Sequence, residues 1–278
     1  MIRLIYYECI KTFLKKRTYL GFLILLVVVP LIEIAMKIEG ESVVTNSLRS
    51  LQQDFFLVGN LFNGWSISYL IMNSLWIHIP ILISFVAGDQ LAGEATAGTY
   101  RLILIRPVSR TKIFLSKYCT TALYTVIFIT FLGVLSVGLA LLLMGTGQLL
   151  VYDRGFLILP ASDVAWRFFA AYIFSSWSML TIASIAFLFS SFVENAIGPI
   201  IATMGVLIVS LIVSHMPLEF FQSIRPYLFA TYLNIWQKVF ADPVDWPEIW
   251  KGFLWLGGYS AVTVTGAWVI FIRKDILS

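Results

Sequence analysis

The chain has 278 residues, of which 59% are hydrophobic and 12% charged, and its 19 Lys and Arg against 15 Asp and Glu give a formal charge of +4. A soluble domain carries about 25% charged residues, so this composition, with a mean hydropathy of +0.89, excludes an ordinary water-soluble fold and predicts an integral membrane protein. The positive balance does not call for a nucleic-acid partner, because basic residues of membrane chains collect in cytoplasmic loops and the charge reads as topology.

Residues 1–17, MIRLIYYECIKTFLKKR, place Ile2, Ile5, Tyr6, Cys9, Ile10 and Phe13 at helical spacing, with Lys11, Lys15 and Lys16 mostly off that face. The pattern predicts an amphipathic interfacial helix on the inner leaflet; the alternative is a frayed basic tail that only enforces topology. Six runs then reach the roughly 20 residues that a helix needs to cross about 30 Å of hydrocarbon: Tyr19 to Met36, Trp65 to Gly88, Tyr118 to Met144, Trp166 to Ser190, Ala196 to His215 and Gly252 to Ile272. Their continuity favours helices over the alternating strands of a barrel, so the predicted fold class is all-α, one transmembrane domain over residues 1–278. The first run is too long for a cleaved signal and contains Glu33, so it is expected to remain as a span. Glu33 is expected to pair with Lys37 one turn on, the alternative being a cavity-facing acid, and His78, deeper in the second run, to hydrogen-bond a neighbouring helix, the alternative being a titrating group in a translocation path. Trp166 and Arg167 open the fourth run as an interfacial anchor. Between the last two runs, Met216 to Lys251 is aromatic and proline-rich. It reads as extracytoplasmic helices lying at or dipping into the interface, either an outer gate or a cap on the bundle.

The segments before the first run, between the second and third, and after the sixth hold twelve of the nineteen basic residues, which puts both termini in the cytoplasm. The middle segment, 89–117, is the most structured of them. AGDQLAGEATAGTY carries the second span outward as a small polar helix whose Gly88, Gly93 and Gly98 permit close approach and a turn. RLILIR is apolar between Arg101 and Arg106, Pro107 breaks it, and Ser109 caps a helix that runs into the third span. A short helix with an apolar strip and a basic rim, held just below the membrane, makes sense as a docking site for a cytoplasmic partner. A loop packed only on its own bundle is the bland alternative.

Enzymatic signatures are missing. There is no GxxxxGK[ST], HExxH or GxSxG, and His78 and His215 lie far apart with no acid at ligand spacing. Cys9 and Cys119 both fall near the reducing face, which argues against a structural disulfide.

At GEATAGTYRLILIRPVSRTKIFLSK the chain resembles the ABC-2 type transporter permeases. Glu94, Gly98, Thr99, Leu102, Leu104, Pro107, Val108, Ser109, Arg110 and Lys117 match the family's cytoplasmic signature, and Ser116 departs where Gly is usual; FIRKDI, from Phe271 to Ile276, resembles its closing motif. The resemblance implies a membrane subunit of an ATP-binding cassette exporter in the cytoplasmic membrane. It would pair with a second permease copy, as homodimer or heterodimer, and with two separate ATPase subunits that bring ATP and Mg; this chain itself would hold no cofactor or metal. It also implies a coupling helix, with Glu94, Gly98, Thr99, Arg101, Leu102, Ile105, Arg106, Pro107, Ser109 and Arg110 as the ATPase-coupling residues. An ATP-independent secondary transporter and a membrane-embedded enzyme are the competing classes. Phe128, Phe131, Phe168 and Trp177 suit an amphipathic substrate, but aromatics are also normal at helix contacts.

Overall fold

The computed structural model describes residues 1–52, 62–98, 108–153 and 155–274. Among these the chain is nearly all α-helical. Helix α1 (Ile2–Leu14) precedes α2 (Thr18–Gln52), whose part from Thr18 to Gly40 is long and apolar enough to span a membrane. Four more helices meet that test, α5 (Arg110–Met144), α6 (Ala161–Phe192), α7 (Ile197–His215) and α10 (Trp246–Arg273). A bent pair, α3 (Gly64–Leu75) and α4 (Ile79–Thr96), passes it jointly. Several long apolar helices of this kind make a multi-pass membrane protein.

The run predicted as the second span is therefore interrupted, its two helices bent by 54° at the break. Pro80 sits in the first turn of α4, where it has no N–H to give to a continuing helix. His78 lies exposed at the break, and its ring Nδ1 meets the Ser74 carbonyl 3.1 Å away on its own segment, so the expected interhelical bond is not made.

The helix starts follow from local chemistry. The Asn63 side chain accepts from the backbone N–H of Trp65 and Ser66, Ser109 from that of Lys112, and Asp245 from that of Glu248. The all-α expectation fails at one place. Strands β1 (Leu149–Asp153) and β2 (Gly155–Leu159) form an antiparallel hairpin with Leu149 opposite Leu159 and Val151 opposite Leu157. Alternation explains it: Leu149, Val151 and Leu159 are buried while Ile158 is exposed, a half-buried ribbon closing one end of the bundle.

Helix α6 is the centre. In its spanning window 67% of residues are buried, against 22–28% in the other spans, and it packs on α4, α5, α7 and α10. Ala171, Ser175, Ser178, Ala183, Ser184 and Ala186, all buried, let those neighbours approach closely. Between α7 and α10, helices α8 (Glu219–Gln222) and α9 (Phe229–Tyr232) and two 3-10 stretches, Arg225–Tyr227 and Leu233–Phe240, fold over the hairpin end. Trp236 packs on Trp76 with ring centroids 5.3 Å apart, and Phe240 on Phe168 at 5.1 Å.

Arg167 ties this cap down and is not merely an interfacial anchor. Its buried guanidinium donates to the carbonyls of Val239 and Ala241 at 2.9 and 2.6 Å and pairs with Asp163 and Asp242. Glu33 also departs from expectation: no ion pair with Lys37 forms, and its carboxyl is fully buried.

Candidate functional site

The other end of the bundle is charged. It gathers α1, the end of α4, the start of α5, the α6–α7 turn and the end of α10. Three carboxylates, Glu8, Asp89 and Glu94, meet Lys11, Lys15, Arg17 and Lys117 there. Lys117 lies at the heart, its side chain 1% exposed, donating to Glu94 at 2.8 Å and to Glu8 at 2.9 Å. Glu94, at 2% exposure, also takes Lys11. Asp89 takes Lys15 at 2.6 Å and Arg17 at 3.6 Å.

Helical periodicity makes this possible. Glu8 and Lys11 lie three residues apart on one side of α1, Lys15 follows just past its end, and Asp89 and Glu94 lie on successive turns of α4. An acid in an otherwise apolar helix needs a partner, and Lys11 of α1 and Lys15 just past its end supply two. The polar stripe of α1 thus turns toward the bundle, where the sequence pattern had it facing water, and the row Ile2, Tyr6, Ile10 and Leu14 is left outside, Ile2 at 84% and Leu14 at 77% exposure. Around the charges, Gln90 donates to the Thr12 hydroxyl at 3.2 Å and Cys9 Sγ lies 3.5 Å from Thr120 Oγ1, so α1 is also fastened by neutral contacts.

Of the residues singled out in the 89–117 stretch, Thr99, Arg101, Leu102, Ile105, Arg106 and Pro107 lie outside the described residues. The flanks are described. Glu94, one of the coupling residues that the resemblance implies, is interior and joins α4 to α1 and α5. Gly98 adopts φ +63° just past the end of α4, a conformation that glycine takes at no steric cost, so it stops the helix as its type predicts. Ser109 caps α5. Arg110 does not present its charge outward: its guanidinium donates to the carbonyls of Ile272 and Lys274 at 2.9 and 3.1 Å, binding the end of α10 to the start of α5. Ser116, where the resemblance leads one to expect glycine, is buried and bonds back to the Ile113 carbonyl at 2.7 Å.

Two cavities flank the cluster. One of about 380 Å³ is walled by Glu8, Lys11, Ser116 and Val108; the other, of about 430 Å³, by Lys16, Arg17, Asp89 and Ala97. Each reaches one of the two flanks of residues 99–107. No group of three or more His, Cys, Asp or Glu residues at metal-binding distances occurs among the described residues.

The family model described as "Protein of unknown function (DUF2705)" matches residues 34–277. A similar relative is the uncharacterized protein YhcI of Bacillus subtilis (strain 168), 26% identical over 198 residues, which are 69% of this chain and 62% of the relative. The chain thus matches less than two thirds of that relative's length. With the match running from α2 to the C-terminal residues, this chain belongs to the DUF2705 family.

Proposed function

We propose that the chain is the membrane-spanning permease subunit of an ATP-binding cassette exporter of ABC-2 type. It has no nucleotide-binding or catalytic motif of its own. Two copies of a separate ATPase subunit supply ATP and Mg, and a second permease copy completes the pathway across the cytoplasmic membrane. Both termini and residues 93–117 face the cytoplasm, and the 216–251 segment faces outward. The apolar row of α1 then lies in the inner-leaflet interface.

The observation that carries this reading is the way both flanks of residues 99–107 are bolted to the bundle. Glu94 on one side is joined to α1 and α5, and Arg110 on the other to the end of α10. A partner that pulled on the segment between them would move four helices as a unit, which is what coupling by rigid levers requires. Leu102 and Ile105 supply the apolar contact, and Thr99, Arg101, Arg106 and Pro107 its rim and bounds.

The test is co-purification. An ATPase with a P-loop is expected to come down with this chain from native membranes. Leu102→Asp with Ile105→Asp is expected to leave membrane insertion intact and abolish both the association and transport, because it puts unpaired charge into an apolar contact. Retention of partner and transport by the double variant would overturn the coupling role. A second reading, an ATP-independent secondary transporter, draws on Glu33, since intramembrane acids serve proton and ion relays; transport by the purified chain without any ATPase would favour it.

A further inference from the structure

Glu33 stands apart from every other buried acid. Asp89 and Glu94 each hold two cations, whereas both carboxyl oxygens of Glu33 are buried with no hydrogen-bond partner among the described residues. It continues the inward face of α2, four residues after Val29 and eight after Leu25, both fully buried. Fifteen residues from Thr18, it stands about 22 Å along the helix at 1.5 Å per residue, inside a hydrocarbon core of about 30 Å.

No charged group among the described residues pairs with it. On its own helix Lys37 is exposed and unpaired with it, and Glu39 lies further on. Helix α5, which packs on α2, carries no titratable residue from Thr125 to Met144. Helix α3 brings Tyr69, which packs against Trp236 and Phe240. Helix α6 brings Tyr172, within electrostatic range of Glu33, its hydroxyl 2.8 Å from Ser136 Oγ on α5. Asp163 and Arg167 of α6 are paired to each other, and the titratable groups of α1 and α4 sit at the charged end, where Glu8, Lys11, Lys15, Asp89 and Glu94 are bound in the ion-pair cluster. One turn before Glu33, Pro30 lies inside α2, removing a backbone hydrogen bond and marking the point where the helix bends most easily.

An ionised carboxylate placed there would have neither water nor a counter-ion, at a cost far above that of keeping the acid neutral. We propose that Glu33 is a proton-binding site: its carboxyl holds a proton while the bundle is closed around it and passes it to water when α2 moves at Pro30. The site takes a proton and not a metal ion, because no group of three or more His, Cys, Asp or Glu able to hold one forms around Glu33 among the described residues. The proposal is independent of the ATPase reading, since it needs only the closed bundle.

Infrared spectroscopy of the full chain in lipid nanodiscs tests it. At neutral pH the wild type is expected to show the carbonyl stretch of a protonated carboxylic acid, shifted when glutamate is isotope-labelled and lost in Glu33→Gln, which mimics the neutral acid in shape. The native state would hold a proton that the unfolded chain has released, so unfolding sheds that proton and is favoured by alkali. The wild-type melting temperature should therefore fall from mildly acidic to mildly alkaline pH, and that of Glu33→Gln should fall less. Carboxylate bands in place of the acid band in the wild-type minus Glu33→Gln difference would overturn the proposal. So would the absence of a labelled acid band in the wild type, a readout that does not depend on the variant folding.

Discussion

Lys117→Met removes the centre of the charged cluster while keeping a long apolar side chain in its place. Deleting one partner of a buried pair costs about 3–5 kcal/mol, chiefly by stranding the other charge. Two features of this site pull toward the lower figure. Glu94 keeps Lys11, and Glu8, at 16% exposure, can reach water by a small outward swing of α1. A loss of about 3 kcal/mol, at 1.4 kcal/mol per decade, raises the population with α1 detached by roughly 100-fold. Cys9 reports the detachment directly, because its sulfur lies 3.5 Å from Thr120 Oγ1 in the contact between α1 and α5. In a Cys119→Ala background, alkylation of Cys9 should accelerate by about that roughly 100-fold factor, as expected when labelling goes through local opening. Glu94→Gln combined with Lys117→Met should recover much of the protection, since removing both members of a buried pair is often close to neutral. A Lys117→Met rate within about threefold of wild type would place the pair in the under ~1 kcal/mol class of exposed ion pairs and refute the latch.

Arg167→Met strands the Val239 and Ala241 carbonyls and should lower stability by about 2–4 kcal/mol, read as a drop in melting temperature; lysine should rescue only in part because it lacks the planar fork that serves two carbonyls and two acids. Gly64→Ala would put a methyl 2.7 Å from the backbone of Ala140 and Leu141, and because neither chain can step aside it should destabilise the α3–α5 contact by about 1–3 kcal/mol or more, seen in the same melt. Ser109→Cys should react with a membrane-impermeant thiol reagent in inside-out vesicles and not in intact cells; labelling from outside would invert the proposed topology.

Much of the fold was legible because hydrocarbon imposes a simple rule: long apolar runs become helices. Boundaries were less evenly legible. The start of α5 at Arg110 was legible from Ser109, whose cap carries the helix through polar residues ahead of the apolar run. The break at His78 had a visible signal in Pro80, but a proline can equally kink a helix without splitting it. The hairpin at 149–159 was hidden in a stretch too short and too apolar for its alternation to stand out, and it becomes a ribbon only because a bundle end is there to bury Leu149 and Leu159. Arg167 looked like an anchor because its partners, the carbonyls of Val239 and Ala241, lie over seventy residues away.

The charged end carries a consequence for how any partner is held. Counting basic residues treats each as a free charge, and that count orients the chain. Five of those twelve charges are already committed: Lys11, Lys15, Arg17 and Lys117 to carboxylates, and Arg110 to the carbonyls that end α10. Asp89 and Glu94, which would repel an acidic partner, are neutralised by the same pairs. The surface offered beside residues 99–107 is therefore less basic than the sequence implies. Binding of the proposed ATPase must then come mainly from the apolar strip at Leu102 and Ile105, with charge setting orientation. A complex held by exposed ion pairs weakens as salt shortens the screening length to about 3 Å at 1 M, whereas apolar contacts persist. The partner should thus stay bound through a high-salt wash that strips electrostatically held proteins, and its release by salt alone would mean that the basic rim, not the apolar strip, carries the interaction.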